Sequence, residues 1–412
     1  MMRILTIAFI LVTVPAIAAV GTAVPPITLD ELEAHVEYLA DPAREGRGLG
    51  TAGIDSAAAY IAHQFEQFGL QPAGQGGTFF QPFEARTKIG NFAARNVVAL
   101  LPGAETQPGH YIILGAHYDH LGYGEYGSND PGVHAVHPGA DDNASGIAGL
   151  LEMAEYFAGA DPLHRTLVFV AFSAEEHGLL GSAYFADHPA IPLDKTLAMI
   201  NLDAVGRPTP GEVTLFGMKT AAEFDSLLAI SNTEGLKIKI GHGNVGPSDH
   251  SSFVLKNVPA VHFFGAAHTD IHRPTDTADK INYPGLEQIT GLAARFVGTL
   301  DQLPGSLTFE KPAERTRPRT HGGKGAHLGI IPDFGGSDRG MAISGVREGS
   351  PAEKAGLQAG DAIVNLGGVD VNDIGDLFAA LGASSPGDTV AIEVLRDSKR
   401  VTLEAILGKS SR

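Results

Sequence analysis

The chain of 412 residues contains no cysteine. That absence removes disulfides, thiolate metal ligands and a cysteine nucleophile together, so any metal must be held by His, Asp and Glu. Basic residues are scarce as well: 29 Lys and Arg stand against 47 Asp and Glu, a formal net charge of −18. Nucleic acid is therefore not an expected partner, because phosphate binding needs a basic face. The same charge disfavours adsorption to an anionic membrane. Beyond the N-terminus no apolar run is long enough to cross a bilayer. What remains is ordinary globular composition, 43% hydrophobic and 18% charged, in a chain long enough that two domains are expected. With no disulfides, the cores must carry the stability.

The N-terminus, "MMRILTIAFILVTVPAIAAV", has Arg3, an apolar run from Ile4 to Val14, and small residues at Ala16 and Ala18. This is the order of a secretory signal, and residues 1–19 are expected to be a signal peptide, placing the protein in the periplasm or outside the cell. A retained amphiphilic anchor is the alternative.

Thr28 and Glu31 stand at capping-box spacing ahead of Leu32, Val36 and Leu39 on one helical face. A second amphipathic stretch carries Ile54, Ala58, Ile61, Phe65 and Phe68 and stops at Gly69. Strand-like apolar runs then alternate with helical segments. They are "NVVALL" (96–101), "YIILGAH" (111–117), "TLVFVAF" (166–172), "LAMINLD" (197–203) and "PAVHFF" (259–264), with helices expected over 144–157 and 285–303. Near-continuous apolar strands between helices predict an α/β fold, a largely parallel central sheet covered on both faces. Composition changes after Leu303 to a Pro-, Gly- and Arg-rich linker, 304–324. A small module with short strands and two helical pieces follows over 325–408.

Polar residues gather where the apolar runs end: His117 and Asp119 in "GAHYDH", Glu175 and Glu176 in "SAEEHG", Asp203 in "NLDAVG". In open α/β sheets the crevice lies outside the carboxyl ends of the strands, so three strands deliver these groups to one rim, with "GADDNASG" between the first two. Carboxylates converging in a partly dry crevice raise one another's pKa or need a cation. Imidazole and carboxylate without thiolate suit zinc, and the number of carboxylates favours two ions sharing an aspartate.

The motifs "GAHYDHLG", "GADDNASG", "SAEEHGLLGS", "NLDAVG" and "DIHRPTDTADKI" occur in this order. Together, over residues 28–303, they resemble the secreted di-zinc aminopeptidases of metallopeptidase clan MH, whose fold is phosphorylase/hydrolase-like. The resemblance implies one zinc held by Asp142, Glu176 and His272 and another by Asp142, Asp203 and His117, with Asp142 bridging. It implies Glu175 as general base, Asp119 as the carboxylate orienting His117, and peptide substrates with a free N-terminus. Two positions depart from or complicate the pattern. Some relatives carry a tyrosine where this chain has Ile271, and His268 competes with His272 for the last ligand position, which the following Pro and Asp-Thr assign to His272. Asp249 and His250 are expected either to touch substrate or to cap a helix. His134 and His137 are expected to be solvated, the alternative being that they line the cleft, and Arg207 is a candidate contact to substrate backbone.

"GSPAEKAGLQAGDAIVNLGGVDVNDIGDL" (349–377) resembles bacterial PDZ domains. The resemblance implies a carboxylate-binding loop at "AHLGI" (326–330) that captures peptide C-termini, with His327 departing from the usual apolar start. The alternative is a module that only packs on the first domain. Two further alternatives remain for the whole chain: other amide chemistry on the same fold, such as carboxypeptidase or glutaminyl cyclisation, and a non-catalytic PDZ scaffold.

Overall fold

The computed structural model describes residues 26–104, 110–130, 132–241, 248–311, 326–332, 340–372 and 374–409. The expected signal peptide and positions 312–324 of the expected linker lie outside the described residues.

α1 (Leu29–Ala40) starts on the expected capping box: the Glu31 N–H donates to Thr28 Oγ1 at 3.3 Å and the Thr28 hydroxyl donates to Glu31 Oε2 at 2.6 Å. α2 (Ala52–Gln67) buries Ile54, Ala58, Ile61 and Phe65. There follow β1 (Gln71–Pro72), β2 (Phe80–Thr87), β3 (Gly90–Leu101), β4 (Tyr111–His117), α3 (Gly146–Gly159), β5 (Thr166–Phe172), α4 (Leu180–Asp187) and β6 (Thr196–Leu202). β7 (Glu212–Phe216), α5 (Phe224–Ser231), β8 (Lys237–Ile240), α6 (His250–Val254), β9 (Ala260–Phe264) and α7 (Tyr283–Asp301) complete the domain.

The sheet runs β1-β3-β5-β4-β6-β9-β7-β8, with β2 also paired to β3. β5, β4, β6 and β9 are parallel, so their carboxyl ends share one edge; β3 and β7 run against their neighbours β5 and β9. β5 explains why the central runs are apolar throughout. Leu167, Phe169 and Ala171 enter one core while Val168, Val170 and Phe172 enter the other, as the two-residue period of a strand requires. α1, α2, α3, α5 and α7 close the first core; Phe185 of α4 and Phe253 of α6 close the second. The mixed central sheet covered on both faces matches the expectation; only its centre is parallel throughout, and β1, β2, β3 and the β7–β9 pair are antiparallel.

The second module has its own core, including Leu328, Ile343, Ile363, Leu377, Ile392 and Val394. Its elements are β10 (Ala326–His327), β11 (Ile330–Pro332), β12 (Met341–Val346), α8 (Pro351–Ala355), β13 (Ala362–Leu366), β14 (Val369–Asp370), α9 (Ile374–Ala383), β15 (Thr389–Arg396), β16 (Lys399–Ile406) and β17 (Gly408–Lys409). Before it, the chain stays attached to the first domain past residue 304: Phe309 bridges to Ala221, and the Glu310 N–H donates to the Thr220 carbonyl at 2.9 Å. Composition alone did not reveal this. Pro332 and Ser344 of the module face Phe264 to Ala267 across a cavity of about 90 Å³.

Candidate metal centre

Each of the four parallel strands ends at a polar group. His117 is the last residue of β4, Glu175 and Glu176 form the turn between β5 and α4, Asp203 follows β6, and the loop after β9 carries His268 and His272. Asp142 arrives from the irregular turn before α3. Two glycines make that turn possible. Gly139 has φ +56°, and a Cβ there would lie 2.2 Å from the Asp142 carbonyl oxygen; at Gly146 it would lie 2.2 Å from Asn143 Oδ1. The turn is also held from outside. Asp276 Oδ2 accepts the N–H groups of Asp141 (3.0 Å) and Asp142 (3.1 Å). Fully buried Arg47 donates to the carbonyls of Tyr118, Leu39, Pro138 and Gly139 at 2.7–2.8 Å.

Asp142 offers one oxygen to each of two groups. Its Oδ1 is 3.3 Å from His117 Nε2, and its Oδ2 is 3.0 Å from His272 Nε2. On the first side, His117 Nε2 is also 3.3 Å from Asp203 Oδ1. On the second, His272 Nε2 is 3.1 Å from Glu176 Oε2. Ligand atoms of His117, Asp142 and Asp203 lie within 4.8 Å of one another, and so do those of His120, Asp142 and Glu176. All five residues expected as ligands are brought together.

Neighbouring groups fix these side chains. The Ser248 hydroxyl donates to Asp203 Oδ2 at 2.7 Å and is itself bonded by Asn201. His272 Nδ1 lies 3.1 Å from the Gly127 carbonyl oxygen. Asp119 acts differently from the expectation. His117 Nδ1 is 3.1 Å from the Asp119 carbonyl oxygen but 3.8 Å from its carboxylate. That carboxylate instead accepts the N–H groups of Glu175 (3.0 Å) and Glu176 (3.3 Å). Asp119 therefore shapes the glutamate turn with its side chain and orients the imidazole with its backbone.

Electrostatics show what the cluster demands. Burial works against charging His117, yet Asp203 and Glu175 prevail and hold it well above its ordinary pKa. His272 is likewise raised by Glu176 and Asp142 against burial. Burial pushes Asp142 up, but bonds from the two imidazoles outweigh it and leave it well below the usual carboxylate range. The cluster thus calls for positive charge between its carboxylates. Imidazole nitrogens and carboxylate oxygens without thiolate are a donor set for zinc, and two groups sharing one carboxylate fit two divalent ions. Glu175 behaves otherwise: burial, then Glu176, Asp249 and Asp203, raise its pKa well above normal despite His117.

Other candidates fall outside this centre. His268 Nε2 bonds Asp141 Oδ2 at 2.8 Å, and Asp141 Oδ1 accepts the Gly206 N–H at 2.6 Å. The first aspartate of the pair thus faces away from the second. Arg207 pairs with Asp270 at 2.7 Å and with His268 at 3.0 Å. His134 is exposed as expected, whereas His137 is buried, its Nε2 2.8 Å from Ser128 Oγ. Asp249 and His250 are buried, and the Asp249 side chain does not cap α6. Sequence reasoning missed His120, buried with Nδ1 2.7 Å from Glu176 Oε1. It also missed Arg47 and Ser248; only His120 carried a signal, its place in "HYDH".

Fold and centre together define the class, an α/β metallohydrolase with its donors on the carboxyl edge of a parallel sheet. Within that class the chain carries a domain of peptidase family M28, matched over residues 96–297, followed by a PDZ domain matched over 326–407. A probable zinc metalloprotease of Pyrenophora teres f. teres is 36% identical over 154 residues, 37% of this chain and 32% of that protein. Leupeptin-inactivating enzyme 1 of Streptomyces exfoliatus is 26% identical over 334 residues, 74% of this chain and 70% of that protein. Among solved structures, a Zn-dependent exopeptidase from Parabacteroides distasonis shares the fold at 21% identity, with TM-score 0.56, covering 66% of this chain and 98% of that one. The chain spans about a third of the length of the Pyrenophora teres f. teres protein and of a second Pyrenophora zinc metalloprotease it matches.

Proposed function

We propose that the protein is an exported metallo-exopeptidase that removes N-terminal residues from peptides. One observation carries the proposal: Asp142 turns one carboxylate oxygen to His117 and the other to His272, beside Asp203 and Glu176 respectively. His117, Asp142 and Asp203 would hold one zinc, and Asp142, Glu176 and His272 the other. When bound, the two ions supply Lewis acidity that makes water acidic near neutral pH and stabilises an oxyanion.

The protein's own groups do the rest. Glu175 takes the proton from the attacking water and delivers it to the departing amine; its burial-raised pKa suits a group that must both accept and release. Asp119 keeps Glu175 and Glu176 on neighbouring sides of the turn, one for proton transfer and one for the metal. Export is supported by the N-terminal sequence, and cleavage is expected near Ala18 or Ala19. For the PDZ domain, capture of peptide C-termini is the proposed role.

The test is hydrolysis of leucine anilide by purified, zinc-loaded protein, run beside Glu175→Gln and with free and N-blocked peptides. Activity on free N-termini, lost in the variant, is expected. An equally active Glu175→Gln sinks the mechanism, and preference for N-blocked peptides points to carboxypeptidase chemistry. Protein with neither zinc nor activity supports a binding scaffold instead.

A further inference from the structure

The two halves of the centre are braced differently. Asp203 has its second oxygen bonded by the Ser248 hydroxyl at 2.7 Å. Glu176 has its second oxygen, Oε1, 2.7 Å from Nδ1 of His120, while Oε2 faces His272 at 3.1 Å. His120 is 1% exposed, and its ring meets that of His272 edge-on, with centroids 5.7 Å apart. Gly139 makes the room: a Cβ there would come within 2.5 Å of the His120 ring. The peptide N–H of His120 is held as well, donating to the Arg47 carbonyl at 3.2 Å.

We propose that His120 is a positioning residue for one metal only, donating Nδ1–H to Glu176 Oε1 so that Oε2 is presented toward Asp142 and His272. This rests on the two-metal proposal above. A carboxylate that binds metal through one oxygen leaves the other buried and in need of a donor, and such partners set the ligand's orientation and basicity. A neutral ring also serves better here than a lysine or arginine, whose fixed charge beside Glu176 would oppose the cation. His120 Nε2, buried and without a hydrogen-bond partner among the described residues, fits the tautomer with its proton on Nδ1. The rival is that His120 itself binds metal, since its ligand atom lies within 4.8 Å of those of Asp142 and Glu176. An asparagine separates the two, because its amide nitrogen can occupy the Nδ1 position and donate but makes a poor ligand.

The experiment counts zinc per chain across a graded chelator series for wild type, His120→Leu and His120→Asn. For His120→Leu, one of two zincs is expected to weaken by about ten- to a hundredfold, with the other unchanged. For His120→Asn both should stay near wild type, and added zinc should restore activity to His120→Leu. Nitrogen-15 spectra of the zinc-loaded wild type need no variant and keep the test alive if His120→Leu does not fold: they should show a protonated Nδ1 and a bare Nε2 on His120. Two undisturbed zincs in His120→Leu overturn the proposal, as does an Asn variant no better than Leu, or a His120 tautomer protonated on Nε2. Wild type without zinc overturns the two-metal proposal itself.

Discussion

Arg47 offers a quantitative test of how the centre is held. It is fully buried, and its guanidinium donates four hydrogen bonds, all to backbone carbonyls: Tyr118, between His117 and Asp119; Pro138 and Gly139, at the entry to the Asp142 turn; and Leu39 of α1. Burial lowers its pKa to about 10 even with Asp142, Asp276, Asp119 and Glu176 nearby, so it remains charged at neutral pH. Arg47→Met keeps the bulk of the stem and removes every donor. Each stranded carbonyl costs about 1–3 kcal/mol if left dry, and water entering the vacated space recovers part of that. A net loss of about 4 kcal/mol is expected, which at about 2–4 °C per kcal/mol lowers the melting temperature by about 8–16 °C. Arg47→Lys, whose ammonium cannot reach all four oxygens, should fall between. The assay is calorimetric melting of the zinc-loaded proteins. An Arg47→Met variant melting within about 2 °C of wild type would show that the four carbonyls do not depend on the guanidinium.

Three other outcomes are expected. Glu175→Gln should lower kcat by about 10²–10⁴-fold while zinc per chain, read by elemental analysis, stays the same; loss of zinc in the variant contradicts a role confined to proton transfer. Stripping the metal should lower the melting temperature, because saturation at a hundred times Kd stabilises by about 2.7 kcal/mol; equal melts with and without chelator contradict the site. Glu212 accepts from Lys237 at 2.6 Å and pairs with Lys239 at 2.8 Å, and these bonds hold its carboxyl below the ordinary range. A depressed folded pKa means its stabilisation is full above about pH 4.3, the unfolded value, and disappears as pH falls through the folded one. The melting gap between wild type and Glu212→Gln should therefore begin to close as pH falls below about 4.3, and a gap independent of pH refutes the pairing.

Much of the centre was legible because its chemistry sits where strands stop. β4, β5 and β6 are apolar runs that end in His117, the glutamate pair and Asp203, and a buried parallel strand has no room for such residues earlier. The edges were harder. β8 alternates as "KIKI", with both lysines turned to Glu212, but four residues are too few to stand out, and β2 contains Pro82. His137 looked solvated because a histidine in a glycine-rich loop usually is; only the fold brings Ser128 to it. Arg47 and Ser248 were invisible for the same reason, since their partners lie far away in sequence or belong to the backbone. Asp119 shows a subtler limit: the motif marks the residue, but which of its oxygens meets the imidazole is decided by the local turn.

The first and last helices of the catalytic unit, α1 and α7, pack into one core around Leu32, Val36, Leu286 and Ile289. During synthesis, the apolar stripe of α1 therefore waits for a segment made some 250 positions later. A chain stopped anywhere before Tyr283 leaves that stripe only partly covered, by α3 and the turn before it, inviting aggregation or degradation.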